Sequence, residues 1–119
     1  METILSIPQI RHALSGNFFL IAGPCVVESR DLCFEIANRV IEITDRLKIP
    51  YIFKSSYKKA NRSKPDSFTG IGDKAGLEVL RDIRKELKIP VLTDIHSAEE
   101  AYFCGPDVEF RVFSNDKRP

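Results

Sequence analysis

A repeated four-residue segment constrains the fold of this chain more than any other feature of its sequence. Residues 47–50 read LKIP, and residues 87–90 read LKIP again, forty positions later. Each copy closes a stretch with helical periodicity and precedes a short β-rich run, YIFKSS at 51–56 and VLTDI at 91–95. Proline lacks an N–H and disfavours helix in the residue before it, so each helix should stop at the repeat. The repeat therefore predicts two successive helix-to-strand units.

Apolar residues recur at three- and four-residue spacing before each copy of the repeat, which is typical of one buried helix face. We expect Ser29 to be the N-cap of the first helix, with Asp31 in the first turn, where the helix dipole favours an anion. Asp73 is the expected N-cap of the second helix. The expected buried residues are Leu32, Ile36, Val40, Ile43 and Leu47 in the first helix, and Leu77, Leu80, Ile83 and Leu87 in the second.

The remaining apolar runs complete an alternation of strands and helices. Residues 18–23 (FFLIAG) are almost continuously apolar, which predicts a parallel strand buried on both faces. Residues 97–103 would form a third helix, and residues 108–113 alternate in a way that suits a half-exposed strand. A weak alternation at 3–7 would make a small edge hairpin. The order predicts an α/β fold of successive βαβ units around a parallel sheet.

Composition excludes several other classes of protein. The 119 residues are 43% hydrophobic and 29% charged, as in one ordinary globular domain. With 18 Lys and Arg against 17 Asp and Glu, the net charge of +1 argues against a nucleic-acid coat and a polybasic membrane anchor. The longest apolar stretch, 18–27, is far shorter than the roughly 20 residues of a membrane span. No signal peptide leads the chain and the three cysteines lack CxxC spacing, so we expect a cytoplasmic protein.

Chemically useful side chains follow each of the three predicted buried strands. Cys25 follows the first, Lys54 ends the second, and Asp94 and His96 stand at the end of the third. In parallel α/β proteins the carboxyl ends of the strands carry the functional groups. A lone cysteine is more often a small buried hydrophobe, and Asp94 could simply cap a helix. Their joint placement at three consecutive strand ends is what indicates a site.

The segment 54–64 (KSSYKKANRSK) holds five cations and no acid. A guanidinium beside a hydroxyl suits bidentate capture of a phosphate. Two phosphate-sized anions could therefore be held by Lys54 and Lys59 on one side and by Arg62 and Ser63 on the other. A solvated charged surface is the plainer alternative. Single-stranded nucleic acid is a weaker one, because it requires aromatic side chains stacked along a basic groove.

Three segments together resemble the 3-deoxy-D-manno-octulosonate 8-phosphate synthase family, also called 2-dehydro-3-deoxyphosphooctonate aldolases. They are IAGPCVVES at 21–29, FKSSYKKANRSKPDSFTGIG at 53–72 and TDIH at 93–96. The resemblance implies condensation of phosphoenolpyruvate with arabinose 5-phosphate in lipopolysaccharide (KDO) biosynthesis. It also implies a homotetramer and a (β/α)8 barrel, of which this chain would supply the first three to four β/α units. The KANRS sequence separates the family from its sibling, 3-deoxy-heptulosonate 7-phosphate synthase, which stays the alternative.

The resemblance also implies roles for individual residues of the basic segment. Lys54 and Lys59 match positions that hold phosphoenolpyruvate through its carboxylate and phosphate. Asn61 matches a position that contacts the pentose near the reacting carbons. Arg62 and Ser63 match the clamp on the arabinose phosphate, which reaches in from a neighbouring subunit.

Three further residues gain roles from the same resemblance. Asp94 and His96 match the end of the third strand, where the aldose is held. Cys25 matches the thiolate ligand of the metal-dependent branch, whereas the metal-independent branch has Asn at that position. We therefore expect a divalent metal ion as cofactor.

The likeness to the family ends before the last residues of the chain. We treat 1–119 as a single partial domain, with family-like β/α units over 1–102 and a divergent tail over 103–119. A (β/α)8 barrel needs about 250 residues. We therefore expect this chain to be truncated and inactive alone. The alternatives are a non-catalytic remnant that binds phosphate esters and an interaction module that completes its open sheet on another polypeptide.

Overall fold

The computed structural model of the protein describes residues 7–57, 73–95, 99–100 and 110–113. Its elements follow one another as strand, helix, strand, helix, strand and strand. All four strands belong to one sheet of order β1-β2-β3-β4, and every neighbouring pair is parallel. The predicted α/β alternation is confirmed in this part of the chain. The elements are β1 (Leu20–Ala22), α1 (Arg30–Leu47), β2 (Tyr51–Lys54), α2 (Asp73–Leu87), β3 (Val91–Ile95) and β4 (Phe110–Phe113).

Both copies of the LKIP repeat make the same turn from helix to strand. Lys48 and Lys88 take the left-handed conformation, with φ of 59° and 56°, and so end α1 and α2. At the first copy the N–H of Ile49 donates to the carbonyl of Thr44 at 2.9 Å, as in a Schellman motif. The prolines that follow are buried. Their carbonyls accept hydrogen bonds from Leu20 N at 2.8 Å and Phe53 N at 3.0 Å, which joins each turn to the preceding strand.

Helix α1 turns a different stripe towards the core from the one that the sequence predicts. Its expected N-cap is confirmed, since Ser29 Oγ accepts a hydrogen bond from Leu32 N at 3.1 Å. However, the expected core residues Leu32, Ile43 and Leu47 are 36%, 41% and 50% exposed. The prediction was wrong for these three residues, because the helix turns a neighbouring stripe towards the sheet, whereas Val40 of the predicted face does pack against the core. The buried residues of α1 are Cys33, Ala37 and Thr44.

Helix α2 buries the predicted residues Leu77, Leu80 and Ile83. Asp73, the expected N-cap, is itself helical, so that expectation was wrong. Across the helix pair, Arg30 of α1 donates to Asp82 at 2.5 Å and to Glu86 at 2.9 Å. Among the described residues, no helix has the length and apolarity needed to span a bilayer.

The expectation that the first strand is buried on both faces was wrong. β1 covers three residues, stands at the end of the strand order, and leaves Ile21 42% exposed. An apolar run does not distinguish a central strand from one at the edge of a sheet. β3 has the predicted bounds, and β4 confirms the fourth strand within the expected range 108–113. The expected hairpin at 3–7 and most of the expected helix at 97–103 lie outside the described residues.

Alternation along the strands separates the two faces of the sheet. Phe53, Val91 and Ile95 belong to the core cluster that also contains residues of α1 and α2. Neighbours in register share a face, and Lys54 is in register with Leu92. Lys54 and Asp94 therefore lie on the face opposite the helices. This arrangement places polar side chains at the carboxyl edge of the sheet, away from the apolar core.

Candidate active site

The carboxyl edge of the sheet brings together the three predicted site residues that the structure describes. Lys54 is the last residue of β2, and Asp94 is the fourth of the five residues of β3. Both side chains are half-buried. Cys25 follows β1 by three residues and is exposed. Because the three strands are parallel neighbours, their carboxyl ends lie at one edge, as the sequence predicts.

Ser56 links the segment that follows β1 to the end of β3. Its backbone N–H donates to Cys25 O at 3.2 Å, and its carbonyl accepts from Val27 N at 2.9 Å. Its hydroxyl donates to Asp94 Oδ1 at 2.5 Å, and the residue is only 7% exposed. The polar groups of one residue therefore connect the ends of three strands.

Gly23 allows the chain after β1 to approach β2 closely. A Cβ atom on Gly23 would stand 1.9 Å from the carbonyl oxygen of Lys54. No side chain larger than hydrogen fits there, since both contacting groups belong to the backbone. The close approach holds the Cys25 segment against the end of β2.

A buried hydroxyl lies on the helix-facing side of the same strand ends. Thr93 Oγ1 donates to the carbonyl of Ser55 at 2.9 Å, and both residues are fully buried. Ser55 Oγ has no hydrogen-bond partner within the described part of the chain. This pair belongs to the packing of the sheet and does not face the candidate site.

The two described cysteines lie in contrasting environments. Burial, with a smaller contribution from the charge of Glu28, raises the pKa of Cys33 to about 11. Its thiol stays protonated at neutral pH and packs in α1, as the sequence predicts. Cys25 is exposed at the sheet edge. Of the two, only Cys25 is placed where it could ligate a metal ion.

Comparison with known proteins assigns the family. The model of the DAHP synthetase I family matches residues 2–108. The chain belongs to the DAHP synthetase I family. Curated relatives include proteins named 2-dehydro-3-deoxyphosphooctonate aldolase from Bordetella petrii and Aromatoleum aromaticum, each 58% identical over 87 residues. Another, from Methylibium petroleiphilum, is 59% identical over the same length.

These matches cover much of this chain and a smaller part of each relative. The 87 residues are 73% of this chain and 30–31% of the relatives' length. The chain thus spans less than a third of the curated relatives that it matches. The resemblance to 2-dehydro-3-deoxyphosphooctonate aldolases, inferred from three sequence segments, is confirmed. The four described strands do not by themselves show an eight-stranded barrel.

Five of the predicted site residues lie outside the described residues. His96 follows β3 directly, and the other four belong to the basic segment after Tyr57. Their roles stay predictions. These four are Lys59, Asn61, Arg62 and Ser63.

The sequence argument missed Ser56 as a member of the site. The sequence held one weak signal, because Ser56 stands two residues after Lys54 and so shares its face. The register that sets Ser56 opposite Asp94 is visible only in the structure. Serine is common at strand ends, so its presence alone does not indicate a site. Its hydroxyl indicates one only when the side chain opposite is known.

The expected metal ion can be compared with the donor groups present. In the ranges that the structure describes, no group of three or more His, Cys, Asp or Glu side chains could hold a metal ion. The exposed thiol of Cys25 fits the role of one ligand. A complete site would need donors from elsewhere in the protein.

Proposed function

We propose that this chain contributes to the condensation of phosphoenolpyruvate with arabinose 5-phosphate, which yields 3-deoxy-D-manno-octulosonate 8-phosphate and inorganic phosphate. The observation that carries the proposal is that a half-buried lysine, Lys54, lies on the same face of the sheet as the hydrogen-bonded pair Ser56–Asp94, at its carboxyl edge. Support comes from the names of relatives 55–59% identical to this chain.

Lys54 is the proposed anchor for phosphoenolpyruvate. A cation at the end of a strand, partly shielded from water, interacts more strongly with an anion than an exposed lysine does. Its ligand would be the carboxylate or phosphate of the enol ester, with Lys59 as a second cation. Arg62 and Ser63 would hold the phosphate of the pentose, since a guanidinium binds phosphate in a bidentate way.

Asp94 is the proposed acceptor for hydroxyl groups of the aldose. An ionised carboxylate only accepts hydrogen bonds, so it complements the O–H donors of a sugar. Asn61 and His96 would complete the contacts near the reacting carbons. The aldehyde would thereby be held next to the enol phosphate, which raises the rate by proximity and orientation.

The reaction forms one carbon–carbon bond and breaks one carbon–oxygen bond. Carbon 3 of the enol phosphate attacks the aldehyde, whose oxygen takes up a proton, and water adds at carbon 2. The resulting tetrahedral intermediate loses inorganic phosphate by C–O cleavage. Two dianions must approach each other, and fixed cations such as Lys54 lower the energy of that approach. A divalent metal ion, with Cys25 as one ligand, would supply electrostatic stabilisation when bound.

We further propose that the 119 residues do not turn over alone, because four strands are half of an eight-stranded barrel. The test is phosphate release from both substrates with Mn²⁺, measured on the chain and on a chimera. In the chimera, the 87 matched residues replace their counterparts in the Bordetella petrii relative. We expect release from the chimera and none from the chain.

The matched variants Lys54→Met and Lys85→Met separate the site from the surface. Lys85 is exposed in the last turn of α2. In the chimera, Lys54→Met should reduce phosphate release by at least about 100-fold, whereas Lys85→Met should leave it within about twofold. An inactive chimera, or one that tolerates Lys54→Met, would contradict the proposed function. Release by the 119-residue chain that Arg62→Ala abolishes would contradict its inactivity.

A further inference from the structure

The exposed large apolar side chains of this protein gather in one part of the fold. In the ranges that the structure describes, every one of them belongs to residues 14–47, and none belongs to α2 or β3. Most belong to the run at β1 or to α1, and they are Phe18, Phe19, Ile21, Leu32, Ile43 and Leu47. Single exposed apolar residues are ordinary on protein surfaces, whereas a contiguous group indicates an interaction surface.

Helix α1 turns one flank towards α2 and an apolar flank away from it. Arg30 marks the first flank, since it donates to Asp82 and Glu86 of α2. With about 100° between successive residues, the apolar flank lies on the other side of the buried Cys33. Its residues are the half-buried Ile36 and the exposed Leu32, Ile43 and Leu47. Because α1 packs on β2 and α2 packs on β3, this flank lies on the side of the molecule where β1 stands.

Strand β1 has an open edge on the same side. Among the described strands it pairs with β2 alone. Leu20 N donates to Pro50 O, towards β2, so the N–H and C=O of Ile21 point to the open edge. The helices cover the face of Leu20, so the side chains of Phe19 and Ile21 lie on the opposite face of the sheet. The N–H and C=O groups of an edge strand are a template for pairing with another chain.

The spacing of the apolar residues on α1 is the same in both directions. Steps of four, seven and four residues lead from Leu32 to Leu47. Alignment of α1 with an antiparallel copy therefore sets Leu32 opposite Leu47 of the second copy. The same alignment sets Ile36 opposite Ile43 of the second copy. Both pairs are centred on one two-fold axis, so this flank of the helix is complementary to itself.

The edge of β1 fits a two-fold axis of the same kind. In an antiparallel pair of β1 strands, Ile21 and its equivalent in the second copy would exchange both N–H···O bonds. An axis perpendicular to the sheet keeps the two α1 helices on one side of the extended sheet, where helices pack with their axes about 8–10 Å apart. At the exposed rim, Arg46 then lies close to the level of Glu35 of the second copy, which brings opposite charges together.

We propose that the β1–α1 flank, formed by residues 18–22 and the apolar flank of α1, binds a second copy of this chain in an isologous dimer. β1 pairs with β1 and α1 packs on α1, both antiparallel. With roughly 100 Å² of exposed surface for each large side chain, the flank approaches the about 800 Å² per partner of a standard interface. The inference is independent of the proposed function and concerns the 119-residue chain by itself.

A strand parallel to β1 is the other occupant that the open edge admits. Closure of a (β/α)8 barrel would supply such a strand, together with a helix beside α1. That occupant comes from outside the described residues, so the 119-residue chain would be monomeric without it. The self-complementary spacing on α1 favours the second copy.

The first test measures the molar mass of the 119-residue chain by size-exclusion chromatography with light scattering, at about 50 µM. We expect a dimer. Ile43→Glu would bury a charge in the interface and should raise the dissociation constant at least about 100-fold, which leaves a monomer. Leu47→Glu should act in the same way, whereas Lys85→Glu on the exposed surface of α2 should leave the dimer intact. Circular dichroism should show equal helix content in all variants, because each changed side chain is exposed in the monomer.

Three results of this test would overturn the proposal. The first is a monomeric parent chain, which would assign the flank to a parallel strand instead. The second is a dimer that persists in both Ile43→Glu and Leu47→Glu. The third is a series of larger assemblies, because an isologous contact closes at two copies.

A second test examines the antiparallel alignment of the two helices. Ile36→Glu and Ile43→Lys should each be monomeric alone, and an equimolar mixture of the two should form a dimer again, because the introduced charges face each other. Ile36→Glu mixed with Leu47→Lys is the matched control and should stay monomeric, because position 47 faces position 32. Recovery in both mixtures, or in neither, would overturn the antiparallel alignment.

Discussion

Replacement of Gly23 by alanine should be among the most damaging single changes in the described part of the chain. The added Cβ would stand 1.9 Å from the carbonyl oxygen of Lys54 and 2.9 Å from its carbonyl carbon. Ordinary van der Waals contact begins at 3.4 Å, so the two backbones would have to separate by about 1.5 Å. Rotation of a side chain cannot relieve the overlap, because neither group belongs to one.

The cost of that separation follows from the bonds nearby. Moving the segment after β1 breaks the hydrogen bonds that join Ser56 to Cys25 and Val27, each worth about 1 kcal/mol. Overpacking in a closely packed region adds about 1–3 kcal/mol. The free energy of unfolding should therefore fall by about 3–5 kcal/mol. A domain that is stable by only about 5–15 kcal/mol would lose a large share of its stability.

Gly16 provides the matched control, because an alanine there would strain the backbone conformation without any steric overlap. It has a φ of +82° and no atom within 4 Å of an added Cβ. Gly16→Ala should therefore cost only the strain of a left-handed residue, about 1–2 kcal/mol. Urea unfolding followed by circular dichroism measures both variants. If Gly23→Ala costs no more than Gly16→Ala, the close approach of the backbones does not limit stability.

Three further predictions concern single residues of the core and the repeat. Ser55→Ala removes a buried hydroxyl that has no hydrogen-bond partner among the described residues. The free energy of unfolding should therefore stay constant or rise by about 1 kcal/mol, and a clear decrease in a urea titration would contradict this. Lys48 and Lys88 have left-handed backbone conformations, which glycine adopts with less strain. Lys48→Gly and Lys88→Gly should each raise the free energy of unfolding by about 0.5–1 kcal/mol, and a decrease at both positions would show that neither lysine is strained. Burial raises the pKa of Cys33 from 9.0 to about 11, so the thiol of the unfolded chain ionises at lower pH than that of the folded chain. The free energy of unfolding should therefore fall as pH rises from 9.0 to about 11. The accompanying fall in Tm should be smaller in Cys33→Ala, and an equal fall would contradict this explanation.

The order of the elements could be predicted because local signals agreed with one another. The two LKIP copies, the Ser29 cap and the bounds of β3 all depend on residues close in sequence. The buried stripe of α1 could not be predicted in the same way. Periodicity identifies a stripe of large apolar residues, whereas the buried residues of α1 include the adjacent Cys33 and Ala37, because the packing of the helix on the sheet decides which stripe turns inward. The burial of β1 likewise depends on its place in the sheet, which local sequence does not contain.

The candidate site likewise contains residues whose placement depends on local sequence and one residue whose role depends on long-range pairing. The placement of Lys54, Asp94 and Cys25 at one edge of the sheet could be predicted because each stands at or just after the end of a strand that the sequence reveals. Ser56 could not, because its role depends on the register between β2 and β3 and on a contact 38 residues away in sequence. Long-range pairing specifies the partner of a side chain, and composition or spacing does not.

The turn that ends each LKIP repeat has a consequence for synthesis on the ribosome. The strand order follows the chain order, and each proline carbonyl is bonded to a residue in the neighbouring strand. β2 can pair with β1 as soon as it emerges, and β3 can then pair with β2, without waiting for distant segments. Leu20 pairs with Tyr51 and Phe53 with Val91, so each pairing closes one whole helical crossover and is slower than the pairing of a hairpin. The strand order therefore permits the sheet to grow in the direction of synthesis, with each new strand pairing with the one before it.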